Sequence, residues 1–340
     1  MITEGDGEGS GRRRAAKFVA GFGLAVLLVY LLGVAVGWEE TVERLRTAQF
    51  GWVLAACASS LLCLAVWGKM WQIVLGAVGV SVTYRKVVIT FFAASFANYV
   101  TPMGQAGGEP LVAYVLSRDT EASYEESLAS VVITDVLRLL PFFTVAGLGL
   151  GYLLFEGQLT DVVETAAVVL AALAVGLPTL LVIGWRHRLP LRGAVISLVS
   201  PIARRTGRIS IEGLRERIDR LYESVELIAD SRRAVLLSVV LAYIGWILFA
   251  LPLYFSGIAL DLPVSLLLVF FVVPATIVVS FTPLPGGLGA IEGALVLLLT
   301  ALAAFSAGEA LAITTVYRLT SYWIVVAVGG LAAIWVTARV

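Results

Sequence analysis

The chain has 340 residues, of which 59% are hydrophobic and only 14% charged, with a formal net charge of zero. A water-soluble globule carries nearly twice that charge fraction, so a soluble fold is excluded. The zero balance leaves no overall pull towards nucleic acid. Apolar runs of about twenty residues recur along the length, each long enough to cross a hydrocarbon core of about 30 Å, and the expected class is an all-α polytopic membrane protein.

Residues 1–15 are polar and Gly-rich and are expected to be a disordered, cytoplasmic N-terminus. The basic run ending at Lys17 then precedes an apolar segment from Phe18 to Gly37, too long for a signal-peptide core and followed by further spans, so it reads as an uncleaved signal anchor. Full spans are expected at 16–37, 51–75, 124–154, 162–184, 234–255 and 309–336, all within a single membrane domain, 16–340. Two further hydrophobic regions, 87–117 and 263–304, are broken in the middle. Between the fourth and fifth full spans, residues 193–233 form the one sizeable polar segment. Ile211, Leu214, Ile218, Leu221, Val225 and Ile228 recur there at three- and four-residue spacing, which predicts an amphipathic helix on the cytoplasmic leaflet or packed under the bundle. Cys57 and Cys63 point about 240° apart around one helix, so neither a disulfide nor a metal pair is expected. The single histidine, His187, lies in a basic loop and is read as solvated. No metal site and no cofactor is expected.

Orientation follows lysine and arginine. The clusters are Arg12 to Lys17, Arg85 with Lys86, Arg118, Arg186 to Arg192, Arg204 to Arg233, and Arg339. They fall on one side only if each broken region enters and leaves by the same face. The first then dips in from the cytoplasm and the second from outside, and both termini are cytoplasmic. Two oppositely oriented re-entrant hairpins beside six full spans is therefore the expected topology.

The breaks resemble one another. Thr101-Pro102-Met103 matches Thr282-Pro283-Leu284, Gly107-Gly108 corresponds to Gly286-Gly287, and a glutamate follows each, Glu109 and Glu292. The order of span, broken hairpin and span occurs over 51–154 and again over 234–336. That is the pattern of an inverted-topology repeat, which in transporters puts the substrate site at the repeat interface. Pro and Gly free backbone groups that survive at membrane depth only inside protein or beside a wet cavity. The half-helix after each break offers free N–H groups to an anion; simple helix kinking or close packing is the plainer alternative. Within the spans, Asp135 and Arg138 lie three apart and can pair on one helix. Arg318 needs a partner from elsewhere, with Glu109 and Glu292 both open. Such charges face a bundle interior, as a substrate site or as structural locks. The candidate substrate-binding set is Thr101, Gln105, Gly107, Gly108, Glu109, Asp135, Arg138, Thr282, Gly286, Gly287, Glu292 and Arg318.

At "TPLPGGLGAIEGALVLLL", "TPMGQAGGEPLVAYVLSR" and "VYRLTSYWIVVAVGG" the chain resembles the lysylphosphatidylglycerol synthase transmembrane-region family, also described as flippase-like membrane proteins. Many members carry Glu-Arg followed by Asp where this chain has Thr134-Asp135 and then Arg138, so the polarity of that pair looks swapped. The resemblance implies movement of an aminoacylated phospholipid between leaflets, or a link to polyprenyl-phosphate sugar pathways. The sequence stops at Val340, so the aminoacyl-transferring domain of multidomain members is expected to be absent and no enzyme activity is expected. The reading is a lipid flippase-like translocator in the cell membrane. Its partners are a membrane lipid with an anionic, aminoacylated or glycosylated headgroup, the bilayer, and a separate lipid synthase or glycosyltransferase. The alternatives are an intramembrane lipid-modifying enzyme and a non-transporting subunit of such a synthase.

Overall fold

The computed structural model describes residues 30, 34, 38–101, 109–157, 161–187, 211–279 and 284–338. The expected N-terminal tail and the span at 16–37 lie outside the described residues, apart from isolated helical positions at Tyr30 and Val34. Among the described residues every regular element is a helix, as apolar segments must be when no water is at hand to satisfy their backbone. In chain order these are α1 (Trp38–Arg46), α2 (Phe50–Ala77), α3 (Tyr84–Val100), α4 (Glu109–Asp119), α5 (Tyr124–Phe155), α6 (Asp161–Arg186), α7 (Ile211–Asp230), α8 (Arg232–Ala259), α9 (Leu266–Val279), α10 (Ala290–Ala303), α11 (Ala307–Arg318) and α12 (Ile324–Thr337). A π-helical stretch, Leu319–Trp323, joins the last two into one rod.

Six of these segments are long and apolar enough to cross a membrane: Phe50–Ala77, Tyr124–Phe155, Val163–Gly184, Arg232–Ala259, Pro285–Ala303 and Ala307–Val336. Five coincide with expected spans. The sixth, Pro285–Ala303, is the second arm of the broken region 263–304, and it includes a 3-10 turn at Pro285–Gly287. Its helical part, α10, has 14 residues and is about 21 Å long, short of the hydrocarbon thickness. The arms α3, α4 and α9 are similarly short, with 17, 11 and 14 residues.

The bundle is organised around α2 and α8, which pack along each other. Gln49 N–H donates to Ala259 O at 2.7 Å, the Ser59 hydroxyl to Leu248 O at 2.7 Å, and the Cys63 thiol to Gly245 O at 3.2 Å. Partners advance along α2 as they retreat along α8, so the two helices are antiparallel. Around this pair the other elements exchange contacts reciprocally: α3 lies on α12, and α9 lies on α5. Both crossings are close enough to require glycine. A Cβ on Gly149 would collide with the Phe271 backbone, and one on Gly329 would reach within 2.6 Å of Phe92 O.

The two ends of the bundle differ in charge. The amphipathic helix α7 docks where α2 ends and α5 begins, burying Ile228 against Val74 and Ala129. Arg217 and Arg220 reach Glu125 there at 3.7 and 3.9 Å. The start of α3 with Arg85 and Lys86, and the end of α4 with Arg118, connect to that same end through short loops. At the other end, Arg44 of α1 pairs with Glu309 at 2.7 Å, and Gln49 donates to Asp261 at 2.7 Å. The region α3–α4 thus begins and finishes at the arginine-rich end, whereas α9–α10 begins and finishes at the opposite one. The long helix following each is opened by the same device. Ser123 and Glu126 cap α5, and Ser306 and Glu309 cap α11, each serine accepting from the glutamate N–H and each glutamate accepting from the serine N–H.

Candidate functional site

The second break is built around Glu292. Gly286, Gly287 and Gly289 have φ of 58°, 63° and 84°, left-handed values that glycine reaches without the penalty a Cβ brings. This tight reversal delivers the start of α10, where the Glu292 carboxylate accepts the Gly289 N–H at 2.6 Å through Oε2. Its other oxygen, Oε1, accepts the Arg318 Nε–H at 2.6 Å, while Arg318 Nη2 donates to Gly286 O at 3.1 Å. The partner of Arg318, open between two glutamates in the sequence, is Glu292. Both side chains are less than a tenth exposed. Two charged groups taken this far from water need such company, and each is hydrogen-bonded to the other and to backbone.

The first break presents Glu109 as the opening residue of α4. Beside it on α5, Arg138 Nη1 donates to Asp135 Oδ1 at 2.9 Å, the within-helix pairing that the spacing predicts. The Arg138 guanidinium lies 3.7 Å from the centre of the Trp67 ring, a cation–π stack, while its Nε is buried without a hydrogen-bond partner. Neighbouring indoles fix the wall: Trp246 Nε1 donates to Arg138 O at 2.9 Å, and Trp71 Nε1 to Thr134 Oγ1 at 3.0 Å.

Between the breaks is a cavity of about 470 Å³, walled by residues of α2 to α5 and of α8 to α11 with the π-helical stretch. Glu109, Asp135, Arg138 and Arg318 all line it. Glu292 does not, because it stands behind Arg318 as the latter's counter-ion; its expected place in the cavity wall is corrected to a place behind it. Thr101 is also displaced from the expected set. It caps the C-terminus of α3 with its N–H on Ala97 O at 3.1 Å, its side chain is exposed, and Ser95, Asn98 and Tyr99 line the cavity from that helix instead. Gly286 and Gly287 are buried in the turn and act through the backbone. Gln105, Gly107, Gly108 and Thr282 lie outside the described residues.

The second break meets the end of α3 on Tyr322. Its ring stacks on Tyr99 at the end of α3, with centroids 5.4 Å apart, and its hydroxyl donates to Tyr99 O at 3.3 Å. A Cβ on Gly286 would collide with the same ring, and the Arg318 guanidinium sits 4.4 Å from its centre. Tyr322 falls in the π-helical stretch, where the widened turn shifts the side-chain register and frequently marks a functional position. The sequence carries this tyrosine in its closing helix but offers no periodicity that singles it out.

Comparison with known proteins fits this architecture. Residues 18–329 match the family model described as the lysylphosphatidylglycerol synthase TM region. A UPF0104 membrane protein of Methanothermobacter thermautotrophicus is 26% identical over 312 residues, covering 90% of this chain and 91% of the relative. One from Pyrococcus horikoshii is 23% identical over 315 residues, 91% of this chain and 94% of the relative. One from Methanocaldococcus jannaschii is 22% identical over 309 residues, 88% and 89%. The names of these three relatives state no catalytic activity.

Proposed function

The chain belongs to the lysylphosphatidylglycerol synthase transmembrane-region family, and from that membership we propose that it is a lipid translocator, without catalytic chemistry or an ATPase of its own. It passes a lipid with an anionic, aminoacylated or glycosylated headgroup, polyprenyl-phosphate lipids included, between the leaflets of the cell membrane. In this reading α3–α4 and α9–α10 are re-entrant hairpins entering from opposite faces, and the antiparallel α2 and α8 begin the two halves of an inverted repeat. The arginine-rich end faces the cytoplasm, as the excess of positive loops prescribes, which puts both termini there. A separate lipid synthase or glycosyltransferase is the expected protein partner.

The observation that supports this most is the cavity between the two breaks, lined by Glu109, Asp135, Arg138 and Arg318. Four charged side chains surround one open volume, and intramembrane charges mark the routes of polar groups. The cationic side chains suit a phosphate, while the acyl chains remain outside in the bilayer. The deciding experiment reconstitutes the purified protein in liposomes with headgroup-labelled phosphatidylglycerol, phosphatidylethanolamine or a glycosylated polyprenyl phosphate, and quenches the outer leaflet. Protein-dependent loss of the protected inner-leaflet signal is the expected result. Absence of exchange for every lipid class refutes the reading.

A further inference from the structure

We propose that Glu109 is a proton site, filled and emptied together with an anionic headgroup, so that lipid and proton move in the same direction. This rests on the cavity being the headgroup site. The argument is one of charge balance. Arg318 is matched by Glu292 at 2.6 Å and Arg138 by Asp135 at 2.9 Å. Each pair sums to about zero, which among the described residues leaves the Glu109 carboxylate without a matching cation on the cavity wall.

Among the described residues, the surroundings of Glu109 do not supply another cation. Helix α4 packs on α5 and α3. From α5 the charged groups are Asp135, a like charge within electrostatic reach, and Arg138, already engaged. From α3 the titratable group at the cavity is Tyr99, and across it stand Arg318, Tyr317 and Tyr322. Residues 102–108 carry no titratable side chain. Among the described residues no hydrogen bond reaches the Glu109 carboxylate. The α4 N-terminus offsets part of its charge, but does so equally with the cavity empty or filled.

An arriving phosphate monoanion therefore takes the cavity from one excess negative charge to two, in surroundings that screen poorly. A proton on Glu109 holds the excess at one, because a nearby like charge disfavours the ionised form of a carboxyl. Asp135 already faces Arg138 at 2.9 Å, so Glu109 is the carboxylate at the cavity with no cation to give up. The proton comes from water on the loading side, forms the O–H of the carboxylic acid, and returns to water on the other side when the headgroup leaves. Nothing is oxidised, and that O–H is the only bond made and broken.

The test uses the full chain in phosphatidylcholine nanodiscs, with dihexanoylphosphatidylglycerol as the anionic probe and dihexanoylphosphatidylethanolamine as the zwitterionic one. Calorimetric titrations at one pH, in buffers of low and high ionisation enthalpy, count the protons bound with each probe. The expected result is uptake of about one proton per phosphatidylglycerol, with affinity rising by up to about tenfold per unit fall in pH. Glu109→Gln is expected to bind that probe with no uptake and no pH dependence, and Glu109→Asp to restore both. Uptake that persists in Glu109→Gln overturns the proposal, as does binding of phosphatidylglycerol without uptake. Phosphatidylethanolamine binding in its place, again without uptake, overturns it in favour of an ammonium group at Glu109. Should neither probe bind, lipid exchange in liposomes decides. Exchange indifferent to pH and to Glu109→Gln overturns the proton site alone, whereas no exchange removes the translocator reading with it.

Discussion

The two breaks share a sequence syntax of Thr-Pro, paired glycines and a following glutamate, yet they end in different physical states. At the second, Glu292 is closed in on both oxygens, by Gly289 N–H and by Arg318, and is withdrawn from the cavity. At the first, Glu109 stands on the cavity wall, and its neighbours Asp135 and Arg138 are 42% and 25% exposed along their side chains. The partner decides the role. A carboxylate with a buried guanidinium against it becomes part of the scaffold, while its counterpart without one remains available. The two similar motifs thus end differently, one carboxylate holding its turn in place and the other facing the cavity.

Perturbing both breaks in the same way is the sharpest test of that contrast. Glu292→Ala strands the buried Arg318 charge and is expected to cost about 3–5 kcal/mol, whereas Glu109→Ala is expected to cost less than about 1 kcal/mol. Equal losses in thermal or denaturant unfolding of the purified protein would end the distinction. Gly286→Ala is expected next, at about 3 kcal/mol, from the left-handed backbone together with the collision with Tyr322. Adding Tyr322→Ala relieves the collision but not the backbone strain, so the double variant should be less impaired than the sum of the two single ones. A third comparison concerns the reciprocal crossings. Gly149→Ala and Gly329→Ala should each lose about 1–3 kcal/mol by overpacking, and a loss confined to one of them shows that the two halves are not equivalent in packing energy. The smallest effect is expected for Tyr322→Phe, which keeps the stack on Tyr99 and loses one hydrogen bond, about 1 kcal/mol. A larger loss would mean that the link between the breaks depends on the hydroxyl rather than on the ring.

Much of this was written locally in the chain. Runs of apolar residues must close their own hydrogen bonds in helices, and Pro with paired Gly cannot propagate one, so the spans and the two interruptions follow from composition and order. The i,i+3 spacing of Asp135 and Arg138 likewise dictates a shared helix face, and the pair forms at 2.9 Å. The ends of Ile211–Asp230 and its buried Ile228 follow the three-and-four periodicity in the same way. What spacing leaves open is any choice between groups far apart in sequence. Arg318 finds Glu292 rather than Glu109 because the glycine turn carries α10 against α11, and Thr101 yields its expected place to Asn98 and Tyr99 because of where α3 stops. Tyr322 joins the glycine turn to the end of α3 from within a widened turn of its own helix. Helical periodicity determines which face a residue occupies; which distant face lies opposite is set by how the helices cross, and in this protein that crossing determines which glutamate is locked in a turn and which is left on the cavity wall.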